Sequence, residues 1–341
     1  MDGRVNSPQI KLFYHINTNL RFPGSKATLI DSENRTFRKK RMDSVYHCYH
    51  RGKNGQLLFY CDPDRLVYYS INSILAAKHH IKVLAITLMF NHVHLLVRAP
   101  STTVLRKYFR EVACTYTREF NGIRGAGGPV FSKRIGIAAK KTVKKCKSCY
   151  AYLANNPVEK KLCHRGVEDR WTFVAYAGSP FPFSKPLALR FASKRFRRAL
   201  SVVYGLRKKG EILRHRMLEH LYAGLSSDES RQLTDAIIRI YSVTDYDAAL
   251  RLYGSYEKML LAFDSNTGEE YDIDESWEAD SDRAYVYLCR LLQHRGFNLL
   301  EKDFLRNPPV HQFTALMRES GATPYQIARF FHVPEKRLIW H

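Results

Sequence analysis

The chain has 341 residues, with 55 lysines and arginines against 32 aspartates and glutamates, and a net charge of +23. An apolar fraction of 45% excludes a disordered or low-complexity chain. The charge balance excludes a partner that is itself basic and points to a polyanion, nucleic acid foremost.

The 21 tyrosines add flat faces on which unpaired bases stack. Seven scattered cysteines, no secretory leader and no unbroken run of eighteen apolar residues predict a reduced, cytoplasmic protein without membrane spans. Residues 1–41 read as a flexible leader that ends in the basic cluster Arg35, Arg38, Lys39, Lys40 and Arg41.

Val45 to His50 has the pattern of a first strand, and Arg51-Gly52-Lys53-Asn54-Gly55 turns out of it with positive charge suited to a phosphate. A helix is predicted from Asp62, as N-cap, with Pro63 in its first turn, up to about His79. Ile81 to Met89 reads as a second strand, and the stretch from His92 to Val97 as a third, closed by Pro100. Alternate side chains of a strand share a face, so His92 and His94 point the same way while Val93 enters the core. Two neighbouring imidazoles on rigid backbone make half of a metal site; a capping histidine beside an ordinary surface histidine has the same pattern.

Ser101 or Thr102 caps the next helix, whose apolar stripe runs through Leu105, Tyr108, Phe109, Val112, Tyr116 and Phe120 to a stop at Asn121-Gly122. A short extended segment follows around Phe131 and Arg134, then a helix over 140–155. This order predicts an α+β fold, an antiparallel sheet with helices on one face, related to ferredoxin-like folds. Tyr152 and Asn156 are four apart and share a helical face, although Pro157 disfavours helical geometry at Asn156. A tyrosine hydroxyl can attack a polarised phosphate, and an amide oxygen can be a third metal ligand. Tyr116, at core spacing, and Tyr150, turned away from Tyr152, are expected to pack. Cys146, Cys149, Cys163 and His164 invite a zinc reading, but their spacing is not that of a zinc ribbon. His47 and His50 could assist the metal, but on a strand they face opposite ways.

The run Asn91-His92-Val93-His94-Leu95-Leu96 resembles the His-hydrophobic-His (HUH) motif of the single-tyrosine transposases. Tyr152, followed after three residues by Asn156-Pro157-Val158, is similar to the tyrosine helix of the REP-associated branch of that family. Residues 46–52 resemble the family's first strand and turn, and 128–131 its mid-domain segment. Glu159-Lys160-Lys161 departs from the short basic and small run usual at that place.

The resemblance covers about Asp43 to Ala177. It implies Tyr152 as nucleophile, His92, His94 and Asn156 as ligands of Mg²⁺ or Mn²⁺, and single-stranded or hairpin DNA as substrate, cut and rejoined through a 5′-phosphotyrosine. A non-cleaving nucleic-acid-binding relative and an RNA-processing or replication-initiating nuclease on the same fold are the other readings. As a monomer or a homodimer, the chain divides at this level into a leader (1–41), a transposase domain (42–186), a helical region (187–305) and a helix-turn-helix-like unit (306–341). A linker over Phe181 to Pro186, a basic segment over Arg190 to Arg216 and an acidic loop over Asp264 to Asp282 mark the helical region. In the last unit a reading helix is expected after Val333. The residues expected to touch nucleic acid are Arg51, Lys53, Arg134, Arg195, Arg197, Arg198, Lys336 and Arg337.

Overall fold

A computed structural model describes residues 44–185, 188–265 and 281–338. The leader, most of the acidic loop, Pro186 and the last three residues lie outside the described residues, as does the side chain of Arg337.

The first half is a βαββαβ unit. Its elements are β1 (Ser44–Gly52), α1 (Asp62–Lys78), β2 (Lys82–Leu88), β3 (His92–Ala99), α2 (Thr102–Arg124) and β4 (Phe131–Ala139). The strands pair antiparallel in the order β2-β3-β1-β4, the ferredoxin-like arrangement. The two faces of the central strands separate cleanly. Cys48, His50, Val93 and Leu95 belong to the face under α1 and α2, where the His50 ring meets Phe109 and Phe131. His47, Tyr49, His92 and His94 belong to the other. That second face is crossed by α3 (Val143–Glu159).

Several boundaries differ from the sequence reading. Cys61, not Asp62, is the N-cap of α1. The stabilising carboxylate there is Asp64, which accepts from the Tyr60 N–H at 2.8 Å. Helix α2 runs past Asn121-Gly122 to Arg124 and stops at Gly125, which takes the left-handed φ of 61° that glycine tolerates. The segment around Phe131 is a full fourth strand, because its edge position supplies pairing that sequence periodicity does not display.

The second half is helical: α4 (Val174–Gly178), α5 (Lys194–Lys208), α6 (His215–Tyr222), α7 (Ser227–Tyr241), α8 (Tyr246–Tyr253), α9 (Tyr256–Asp264), α10 (Arg283–His294), α11 (Phe313–Ser320) and α12 (Pro324–Phe330). Its core side chains join those of the first half in one cluster. The segment expected as a linker is tied down: Phe181 is buried, and Asp235 accepts from the Phe183 N–H and the Ser184 hydroxyl.

The deepest junction is ionic. Asp64 accepts both Arg124 Nη atoms, at 3.0 and 2.7 Å, and contacts His215 Nε2 from α6 at 2.8 Å. All three side chains are buried. The Arg124 guanidinium beside Asp64 holds its carboxyl below the usual range, overcoming the desolvation that acts to raise it.

At the C-terminal end, α11, a left-handed Gly321 and α12 make a compact pair. The reading helix expected after Val333 is a three-residue 3-10 turn, Glu335–Arg337, among the described residues. Helix α12 is itself largely buried, and Tyr60 donates its hydroxyl to the Phe330 carbonyl. Among the described residues no helix is long and apolar enough to cross a membrane.

Candidate active site

The site lies on the face of β1 and β3 that α3 crosses. Tyr49 and Arg51 of β1 stand opposite His94 and His92 of β3, and His47 stands opposite Leu96, so all six side chains share that face. Thr142 starts α3 by accepting from the Lys145 N–H. The helix continues through Asn156 and Pro157 to Glu159, despite the bias of the residue before proline. Proline in a last turn loses little, because the helix stays anchored by packing on both sides. One such anchor is Thr87 of β2, whose hydroxyl donates to the Leu153 carbonyl at 2.8 Å.

Tyr152 and Asn156 thereby face the histidines together. The Tyr152 ring stands edge-on to His94 and His47, with centroids 5.3 and 5.7 Å apart. The Asn156 amide bridges both motif histidines. Its Oδ1 is 3.3 Å from His92 Nε2, and its Nδ2 is 3.2 Å from His94 Nε2.

Asn91 donates its Nδ2 to the Gly55 carbonyl, so its Oδ1 is the atom facing His92 Nδ1 at 2.6 Å. Burial, assisted by the charges of His94, Arg51 and Lys160, pushes the pKa of His92 well below its ordinary value, so the ring is neutral. Its one proton sits on Nδ1, donated to Asn91, and Nε2 carries a lone pair. With Asn156 Nδ2 donating to His94 Nε2, the His94 proton is on Nδ1 and points at His47 Nε2, 3.0 Å away, which leaves the His47 Nδ1 proton buried without a hydrogen-bond partner. His47 is completely buried, and burial lowers its pKa well below the ordinary value, with the charges of His94 and Lys140 adding to the effect. The Nε2 atoms of both motif histidines thus meet the Asn156 amide, His92 at its oxygen and His94 at its nitrogen. Two acceptors, His92 Nε2 and Asn156 Oδ1, approach each other there. Such a donor set fits a divalent cation of intermediate hardness, with Asn91 and His47 as the outer partners that orient metal-binding imidazoles.

The structure thus brings together Tyr152, His92, His94, Asn156 and Arg51. Tyr116 packs, donating its hydroxyl to the Leu58 carbonyl, and the Tyr150 ring turns toward Phe173 and Tyr253. Lys53 is exposed in the turn after β1, and Arg134 is exposed on β4. Arg195, Arg197 and Arg198 sit on α5, which packs on α7; Arg195 lies over Gly224, and Arg197 donates to the Leu189 carbonyl. Lys336 is exposed in the last 3-10 turn, and the backbone of Arg337 belongs to the same turn. Neither cluster is part of the histidine face.

The sequence placed one residue only loosely and missed one feature. His47 is an outer partner of His94, and its pairing with β3 needed the strand register, which no short motif carries. The missed feature is a groove of about 720 Å³ on the opposite side of the sheet, between α2 and β4. Arg106, Arg110, Arg118 and Lys133 line it. The arginines recur at intervals of four and eight along α2, a spacing that marks one helical stripe. Among the described residues no three His, Cys, Asp or Glu side chains form a ready metal cluster, so Cys146, Cys149, Cys163 and His164 do not come together as one.

Among curated proteins no match is found. A solved structure, that of a REP-associated tyrosine transposase bound to a REP hairpin, is similar over 44% of this chain and 86% of that chain, at 13% identity and a TM-score of 0.35. The family model described as IS200-like transposase matches residues 40–125, from the end of the basic cluster to Gly125. That span holds β1 through α2 with both motif histidines, and it ends before Tyr152 and Asn156. The similarity to the IS200-like transposases is thus carried by residues 40–125, about a quarter of the chain.

Proposed function

We propose that this protein is a metal-dependent, single-tyrosine strand transferase that cuts and rejoins single-stranded DNA at hairpin or repeat sequences, as the REP-associated branch does. The observation that carries the reading is the convergence of the His92 and His94 Nε2 atoms on the Asn156 amide, with the Tyr152 ring on the same face.

His92, His94 and Asn156 would hold Mg²⁺ or Mn²⁺; when bound, the ion supplies charge stabilisation at a non-bridging oxygen of the scissile phosphate. Tyr152 is the nucleophile: its Oη forms a bond to phosphorus as the bond from phosphorus to the 3′-oxygen breaks. The phenol proton passes to solvent, and the departing 3′-oxygen takes up a proton. One phosphodiester is exchanged for another, so a second 3′-hydroxyl can reverse the step and join a new strand without ATP. Arg51, beside His92, and Lys160 place positive charge where the phosphate enters. The basic groove of α2 and β4, together with Lys53 and Arg134, supports a polyanion on the protein's surface. Arg195, Arg197, Arg198, Lys336 and Arg337 would add phosphate contacts away from the histidines.

The test is Tyr152→Phe, which keeps the ring and deletes the hydroxyl. With a labelled hairpin oligonucleotide and Mn²⁺, the covalent protein–DNA adduct should disappear while binding stays near that of the unmodified chain. An adduct that persists in Tyr152→Phe overturns the assignment. Cleavage by the unmodified chain that survives exhaustive chelation overturns the metal dependence. Preferential cleavage of an RNA hairpin would favour the nuclease reading.

A further inference from the structure

Helix α3 carries Tyr152 on one side and a set of contacts to the C-terminal helices on the other. Tyr150, two residues earlier, enters a closed ring of four aromatics. Its centroid is 5.6 Å from Phe173 and 6.4 Å from Tyr253 of α8. Phe263 of α9 closes the ring, 6.0 Å from Phe173 and 5.3 Å from Tyr253. Two hydrogen bonds flank these rings. Tyr253 donates its hydroxyl to the Lys147 carbonyl at 2.9 Å, and Asn155 donates its Nδ2 to the Phe263 carbonyl at 2.8 Å. At the C-terminal end of α3 the Lys160 carbonyl accepts from the Asp282 N–H at 3.1 Å. On the sheet side, Thr87 holds the Leu153 carbonyl, and Gly166 lies so close to the helix that a Cβ there would fall 2.1 Å from the Ala154 oxygen.

These contacts have a chemical consequence. A nucleophile must be held within about 3–3.5 Å of its target and in line with the leaving group, and a misplacement near 1 Å costs up to ~100-fold in rate. The hydroxyl of Tyr152 is on a helix, not on the sheet that carries the histidines, so its position depends on whatever fixes that helix. Two of the fixing residues, Tyr253 and Phe263, come from residues 246–264, and between them they make both hydrogen bonds that flank the rings.

We infer that α8 and α9 are a clamp that positions the Tyr152 helix against the histidines of the same chain, so that each chain completes its own active site and the helical region is part of the transfer machinery. This rests on the proposed role of Tyr152. Tyr253, Phe263 and Asn155 are positioning residues: none touches the histidines, and each acts through α3.

The experiment has two arms, both with the full chain. In the first, Tyr152→Phe and His94→Ala chains, carrying tags of different size, are assayed alone, mixed, and mixed after unfolding and refolding together. Each alone should be inactive; a Tyr152→Phe chain active by itself would sink the nucleophile assignment and not this inference. The mixtures should form no more adduct than the separate chains. Adduct appearing on the tyrosine of the His94→Ala chain would show that the helix serves another copy and overturn the clamp in cis.

In the second arm, Asn155→Ala combined with Tyr253→Phe is compared with the unmodified chain, well below its melting temperature. Adduct formation at saturating oligonucleotide should slow by about tenfold or more, with DNA affinity unchanged. A purely structural role would lower the melting temperature and leave that rate alone; an unchanged rate overturns the positioning role. Should the double variant fail to fold, Phe263→Leu alone, which keeps apolar volume and loosens the ring, is read by the same rate and affinity pair.

Discussion

His47 is predicted to set the metal affinity of the site without touching the metal. Its Nε2 lies 3.0 Å from His94 Nδ1, in a fully buried position, and with the proton on His94 it is the acceptor. His47→Phe removes that acceptor while keeping a flat ring of similar size. The His94 N–H is then left unpaired in the interior, a cost of roughly 1–3 kcal/mol. The ring can recover it by moving the proton to Nε2 and pointing it at an acceptor, which closes the lone pair that a metal needs. Loss of an outer partner of this kind commonly weakens metal binding by about 10–100-fold, equivalent to roughly 1.4–2.7 kcal/mol.

The assay is the rate of adduct formation against Mn²⁺ concentration. Half-saturation should shift upward by that factor, and much of the rate should return at high Mn²⁺. His47→Gln, which can present an amide oxygen to the same N–H, should fall between the two. A His47→Phe chain that is folded and titrates like the unmodified protein would refute the outer-partner role.

Other outcomes follow from the buried groups and the surface charge. Asp64→Asn leaves the Arg124 guanidinium without its counter-charge in the interior and should destabilise by about 3–5 kcal/mol, read by urea unfolding; a cost below 1 kcal/mol would mean that the junction is hydrated. Burial lowers His50 and His332 to about 4, the latter with a small added push from Arg124. The unfolded chain therefore binds more protons than the folded one between about pH 6.5 and 4, so stability should drop as pH falls through that window. Asp169, raised by burial to about 6, works the other way between its ordinary value and 6. The melting temperature should accordingly fall from pH 7 to 5, and less steeply in His332→Asn. Finally, if the groove of α2 and β4 contacts phosphates, Arg106→Ala with Arg110→Ala should reduce the slope of log affinity against log salt by roughly 1–2, with the folded state intact.

Much of the first half could be read from residues alone, and the reasons are local. The apolar runs of β2 and β3, the Ser101 cap of α2 and the proline after β3 each state their own structure. His92 and His94 needed only the two-residue period of a strand to be placed side by side. Asn156 was the weak point, because the residue before proline disfavours helix; the tertiary contacts of α3 overrode that preference. The Asp62 cap failed for a different reason. Asp64 is drawn inward by Arg124 and His215, and His215 is 151 positions away along the chain, so no local rule could foresee it.

The helical half was opaque because its meaning lies in what it touches. The density of lysine and arginine on α5 reads as a phosphate surface. The residues that matter most to the site, Tyr253 and Phe263, look like ordinary core aromatics. Even the C-terminal unit, whose Thr323 capping box and Pro324 were readable as a helix start, has its consequence elsewhere. Helix α12 packs on the segment Gly55 to Tyr60, where a Cβ on Gly55 would fall 2.7 Å from the Arg329 guanidinium. Gly55 also accepts from Asn91, and Asn91 fixes the proton of His92. A chain ending near Pro186 holds every proposed catalytic and metal-binding residue, yet it lacks both the clamp on the Tyr152 helix and the support beneath the Asn91 turn. Such a truncation is therefore expected to expose a broad apolar surface and to lose transfer activity, even with His92, His94, Tyr152 and Asn156 all present. Retention of metal-dependent adduct formation at the full-length rate would show that the β-sheet alone organises the chemistry.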